Sequence, residues 1–231
     1  MAKIQYPKTD EEKAKLYLHA MLEIKERIDA TNAILTSTEM IPLFKNEMCQ
    51  LHIRHICEVV SIACLAAQGD YETQRAFTQE YSPPKIFKAL RKLQENFFPE
   101  TCTVTTKPLP DGTRHHHVQS NTVPGAATER DVAAAWNTAG KFLHRASVKK
   151  YLSTTFDKPP PSLQPARETL QKIADLLASH VVAIGAEGPR RTLLQVSMDD
   201  GTGHIAARFL RLDAETSTVN VEEFRAQIVR Q

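Results

Sequence analysis

Residues 40–69, MIPLFKNEMCQLHIRHICEVVSIACLAAQG, form the most apolar stretch of the chain, and their reading sets the fold. Phe44, Met48, Leu51, Val59, Ile62, Ala63 and Ala66 recur at steps of three and four, with Ile56 and Leu65 beside them. That spacing predicts one long helix with these residues on a wide buried face. Pro42 suits its first turn, and Gly69 suits the left-handed cap that ends it. The other elements are expected to wrap this rod.

Working outward, residues 9–36 keep Leu16, Leu18, Met21, Ile24, Ile28 and Ile34 at helical spacing, behind an Asp10 suited to capping. The short TSTEMIP link predicts that this helix lies antiparallel to the apolar one. Ser82, Pro83 and Pro84 open a third helix over residues 83–98. Its Ile86, Phe87, Leu90 and Leu93 face one way, and Lys85, Lys88, Arg91 and Lys92 the other. A basic face of this kind is read first as solvated surface and second as a nucleic-acid contact. Thr128 caps a fourth helix over residues 128–153, with Trp136 as its core anchor. A fifth runs over about 165–179, after the proline-rich DKPPPSLQPA.

Two regions change period. Around residues 100–122, TCTVTTKP and TRHHHVQS flank Pro110-Asp111-Gly112, the signature of a β-hairpin. From residue 181, three β-branched runs separated by glycine turns predict an antiparallel meander over 181–212, and residues 221–230 are expected to form a short helix. The predicted fold class is mainly α: a five-helix, up-down, bundle-like unit over residues 1–180 with an inserted hairpin, and a small C-terminal meander over 181–231 packed on it.

Composition narrows the function. The chain has 231 residues, 42% hydrophobic and 24% charged, with 29 basic and 27 acidic side chains for a net charge of +2. These are globular values with no global pull toward nucleic acid or membrane. Three of the four cysteines, Cys49, Cys57 and Cys64, share the apolar helix. At about 1.5 Å of rise per residue, the first two stand roughly 12 Å apart, beyond disulfide reach. Reduced thiols, no leader and no uncharged run of membrane length predict a cytoplasmic chain of bacterial or phage type with no membrane partner. No phosphate loop, nucleophile elbow or dinucleotide fingerprint is present, and no cofactor is expected.

Three constellations remain. Arg54 and Glu58, four apart on the apolar helix, suit an ion pair that fixes helix register. His52 and His55, with the run His115, His116 and His117, are candidates for metal binding. Alternation places at most His115 and His117 on one strand face, and no further ligand stands at zinc spacing, so no metal is assigned. The most suggestive stretch is NTAGKFLHR, residues 137–145. There Asn137, Lys141, His144 and Arg145 place a polar edge beside the tryptophan stripe, with His144 as acid or base and Lys141 or Arg145 as phosphate holders.

Three fragments carry a family likeness: IRHICEVVSIACLAAQGD, PPKIFKALRKLQEN and WNTAGKFLHRA. In helix order and short words, over roughly residues 40–150, the chain resembles the HEPN superfamily of helical nucleotide-binding and ribonuclease domains from bacterial defence and toxin systems. Active members cut RNA without metal, using an arginine four to six residues before a histidine. Here His144 takes the histidine place, and Thr138, Ala139 and Gly140 stand where the arginine belongs, with Lys141 the nearest cation. The resemblance therefore implies a non-catalytic module that binds RNA or a partner protein; any cleavage would be metal-independent and run through His144 and Lys141. Binding is expected to draw on Arg145, Asn137, Arg54, Glu58, Lys88 and Arg91. Two alternatives come from other classes. One is an assembly protein that forms a homodimer through an open strand edge within residues 181–212. The other is a metal-dependent hydrolase built on the histidines.

Overall fold

The computed structural model describes residues 9–69, 80–108, 114–143, 162–185, 190–199, 203–213 and 218–224. Helix α1, Asp10–Thr36, begins one residue earlier than Asp10 capping requires. Thr9 takes the N-cap, its Oγ1 accepting from the Glu12 amide at 3.2 Å while Glu12 Oε2 accepts from the Thr9 amide at 3.1 Å. This reciprocal pair fills two of the orphan donors of the first turn. Helix α2, Pro42–Gln68, ends at Gly69 with φ +69°. The positive φ favours glycine there, and a Cβ would also displace the Lys13 side chain, which approaches to 2.3 Å. The helices run antiparallel: Arg27 of α1 acts on His52 of α2, and Tyr17 and Cys64 influence each other one end further along.

The face that α2 buries matches the expected one at Ile56, Ala63, Leu65 and Ala66 and differs elsewhere. Phe44, Met48, Leu51 and Ile62 are 52%, 40%, 43% and 46% exposed, whereas Asn46, Cys49, Gln50, Ile53, Ile56, Cys57, Val60, Ser61 and Cys64 are buried. Small and β-branched side chains dominate the inward arc, with Asn46, Gln50 and Leu65 also buried. The reason is crowding: α2 packs against α1, helix α3 (Pro83–Leu93), helix α4 (Glu129–Leu143), helix α5 (Gln164–Ala178) and a strand. Close approach on so many sides favours cysteine, alanine and serine over bulk.

The second correction concerns fold class. Strands β1 (Glu100–Pro108) and β2 (Arg114–Ser120) form the expected hairpin, with Cys102 opposite Ser120 and Thr105 opposite His117. Strands β3 (Ser179–Ile184), β4 (Arg190–Ser197) and β5 (Ala206–Asp213) form the expected meander. Glu100 and Thr101 of β1, however, also pair with Val181 and His180 of β3, joining hairpin and meander into one sheet. A sixth strand, β6 (Thr218–Phe224), replaces the start of the helix expected over 221–230 and pairs with β5. Residues 225–230 of that expected helix lie outside the described residues. The result is a six-stranded antiparallel sheet in the order β2-β1-β3-β4-β5-β6 with the helices packed on it, an α+β fold and not a mainly α bundle with a β appendage.

One sheet face carries Val182 and Ile184, Leu194 and Val196, and Ala207 and Phe209, the alternation that a one-sided core requires. These residues join Met21, Ile24, Ile56, Ile173 and Leu177 of the helices in a single core cluster. Tyr17 of α1 reaches the sheet directly: its hydroxyl lies 2.8 Å from His180 Nε2, and His180 Nδ1 lies 3.0 Å from the Leu177 carbonyl. Since the carbonyl only accepts, Nδ1 carries the proton and Tyr17 donates to Nε2. Where β3 runs past β1, α2 covers it. Gln68 Nε2 donates to the Ala183 carbonyl at 3.2 Å, and the Gly185 amide donates to the Ala67 carbonyl at 2.9 Å. Among the described residues, α2 is the one helix long and apolar enough to cross a membrane, and 61% of its most apolar window is buried in the fold.

Candidate functional site

The polar centre of the helical face lies where α4 crosses α2. Glu58 takes three donors. Its Oε1 accepts from Trp136 Nε1 at 2.8 Å and from Arg54 Nε at 3.2 Å, and its Oε2 stands 3.3 Å from His55 Nδ1. The Arg54 guanidinium lies over the Trp136 ring, 4.6 Å from its centroid, an arrangement stabilised by the ring quadrupole. Gly140 makes room for it, since a Cβ at that position would stand 2.6 Å from Arg54 Nη1. The expected ion pair between Arg54 and Glu58 is therefore present, and it extends into a four-residue cluster that pins α4 to α2.

Chemically, this is an anchored carboxylate. With both oxygens engaged, Glu58 is positioned to orient its neighbours and poorly placed to abstract a proton. His55, with its side chain 41% exposed, turns Nδ1 to Glu58, leaving Nε2 for whatever meets this face. His52, one turn earlier, has a buried Nδ1 with no partner. Its pKa is lowered, first by burial and then by the Arg27 and His55 charges, which favours the neutral ring.

The other expected residues do not all gather here. Lys141 follows Gly140 and is exposed, and Asn137 is spent on its own helix, Nδ2 to the Ala133 carbonyl at 3.0 Å. Arg91 of α3 pairs with Glu129 at the opposite end of α4. Eleven residues separate Glu129 from Gly140, roughly 16 Å along a helix. Lys88 is exposed on α3. His144 and Arg145 lie outside the described residues. No group of three or more His, Cys, Asp or Glu is placed to hold a metal among the described residues. Every thiol is free and buried; burial pushes Cys57 up to about 12, with Glu58 adding to it, and raises Cys64 further.

Two members of the cluster went unread in the sequence. Trp136 packs against the core as expected, and its indole N–H also takes Glu58 as acceptor, a partner that spacing along the chain does not reveal. Gly140, isolated inside a helix, signals close approach by a neighbour, and that neighbour is Arg54. Phe44, Met48, Leu51, His55, Glu58 and Ile62 step along α2 at intervals of 4, 3, 4, 3 and 4; Phe44, Met48, Leu51 and Ile62 are open apolar side chains, and the cluster's His55 and Glu58 stand between Leu51 and Ile62. Compared with models of known protein families, with curated proteins and with solved structures, the chain matches none of them.

Proposed function

We propose that the chain is a non-catalytic, HEPN-like binding module whose working surface is the outer seam of α2, and whose first occupant is a second copy of itself. The supporting observation is the inverted burial of α2: Asn46 and Gln50 are 2% and 6% exposed, while Phe44, Met48, Leu51 and Ile62 stand about half open on one line. Covering the open halves of four such side chains gains about 3–4 kcal/mol before the costs of association. A seam with 3–4 spacing meshes best with another helix of the same spacing, and this chain carries one.

A protein partner is preferred over RNA because the cations do not converge. Arg54 is held by Glu58 and Trp136, and Arg91 by Glu129 at the far end of α4. Four buried free thiols suit a reducing compartment, so we place the protein in the cytoplasm. Light scattering over a range of concentrations tests the reading. The native chain is expected to dimerise, and Leu51→Glu, at a position already open to water, to stay monomeric with an unchanged circular dichroism spectrum. A native chain that stays monomeric throughout, or a variant that dimerises equally well, rules the surface out. Binding of a single-stranded RNA oligomer that is lost in Arg54→Gln would transfer the function to RNA.

A further inference from the structure

A cleft of about 220 Å³ opens between α4 and α5, away from the α2 seam. Its floor is Gln50 and Ile53 of α2, its α4 wall includes Asp131, Ala135 and Phe142, and its α5 wall includes Lys172 and Ile173. One end is fixed by the Ala127 amide, which donates to the Lys172 carbonyl at 2.8 Å.

The floor residue draws attention first. Gln50 is only 6% exposed, yet its carboxamide makes no hydrogen bond to any described residue. Its amide is not sealed from the cleft, so two donors and two acceptor lone pairs are open there to whatever fills it. The walls then supply one charge of each sign. Asp131 uses Oδ2 for the Thr128 amide and hydroxyl, at 2.9 Å and 2.6 Å, and leaves Oδ1 without a described partner. Lys172 is exposed and has no ion pair among the described residues. These Thr128 bonds, with Lys172 adding to them, hold the Asp131 carboxyl below its usual range, so it is ionised at neutral pH.

We propose that this cleft binds a free α-amino acid with an uncharged polar side chain, of which glutamine and asparagine fit best. The lining charges cancel, so the site favours a ligand that is neutral overall but carries separated charges. A zwitterion meets Asp131 with its ammonium group and Lys172 with its carboxylate. Its side chain runs over Ile53 and Ile173 to Gln50, where an amide pairs with an amide as donor and acceptor at once. A nucleotide leaves Asp131 facing a phosphate of like sign, and at 220 Å³ the cleft lies below the range of drug-sized pockets, about 300–1,000 Å³.

The test uses the full chain in calorimetric titration and thermal melting with each common amino acid, adenosine monophosphate and a short single-stranded RNA. Glutamine or asparagine is expected to bind saturably and raise the melting temperature. Gln50→Leu removes the idle amide, so its ligand-free form should melt no lower than the native chain and yet show no ligand-induced shift. Should that variant fail to fold, Lys172→Met, on the exposed wall, serves instead and is expected to weaken amino-acid binding at least tenfold. The proposal is overturned if no amino acid binds, which would leave Gln50 simply hydrated. Binding that survives Gln50→Leu, or tighter binding of the nucleotide or RNA than of any amino acid, overturns it equally.

Discussion

Lowering the pH from about 7 to about 4 should unlock the contact between α1 and the sheet. His180 is fully buried, and burial lowers its pKa from the ordinary 6.5 to about 4, the bond to the Leu177 carbonyl offsetting this only in part. The folded chain therefore keeps this imidazole neutral while the unfolded chain protonates it. Its contribution is fully present above about pH 6.5 and disappears as the pH falls through about 4. At about 1.4 kcal/mol per pH unit, the interval amounts to about 3 kcal/mol, a large share of the roughly 5–15 kcal/mol that holds an ordinary domain together. His52, also lowered, acts in the same direction. Urea unfolding across this range, followed by circular dichroism, measures the effect. The control replaces both partners, Tyr17→Phe with His180→Leu; it removes the titrating group and its hydroxyl partner together but takes the donor from the Leu177 carbonyl, so it should cost about 1–3 kcal/mol at every pH of the window. The double variant is expected to lose most of the acid sensitivity between pH 6.5 and 4. If it retains the native slope, or if native stability falls by less than about 1 kcal/mol over the window, the buried neutral histidine is not the acid trigger.

Three further outcomes follow from the same geometry. Gly140→Ala gains about 1 kcal/mol of helix propensity but pushes Arg54 off the indole, so stability should change little while the emission of the single tryptophan shifts. An unmoved spectrum would show that Arg54 does not rest on the ring. Gln68→Leu strands the Ala183 carbonyl at the β3 edge and should cost about 1–3 kcal/mol in urea unfolding, with faster amide exchange along β3; an unchanged midpoint would mean the edge is satisfied another way. A thiol reagent at mildly alkaline pH should label the native protein slowly at all four cysteines and quickly once denatured, because burial keeps Cys57 and Cys64 protonated. Rapid labelling of Cys57 in the native state would contradict the packing of α2.

The helices were legible in the sequence because each is long, periodic and bounded by its own punctuation, such as Pro42 and Gly69 or Pro83 and Pro84. The hairpin and the meander were legible for the same local reason. Their union was not, because the pairing of Thr101 with His180 joins residues nearly eighty positions apart and leaves no periodic trace. Strand β6 was misread as the start of a helix because Glu222 and Glu223 obscured the alternation of Val219 and Val221. On α2 the spacing finds Ile56, Ala63, Leu65 and Ala66 of the buried face but wrongly adds Phe44, Met48, Leu51 and Ile62, because crowding from several neighbours selects Cys49, Ile53, Cys57 and Val60 instead. At the candidate site, the Arg54 and Glu58 spacing was readable from helix geometry alone. The approach of Trp136 depended on how α4 crosses α2, a tertiary fact.

Strand β1 divides its bonding unequally. It gives two register pairs to β3 and seven to β2, with the Asn121 amide latched to the Thr101 carbonyl at 3.0 Å beside the junction. The outer hairpin is thus a long arm on a short pivot. Under load it should peel from the body at those two rungs before its own ladder opens, and grafts along its distal half should be felt little by the core. For the protein engineer the arm is the place to vary length and chemistry, provided Glu100 and Thr101 keep their grip.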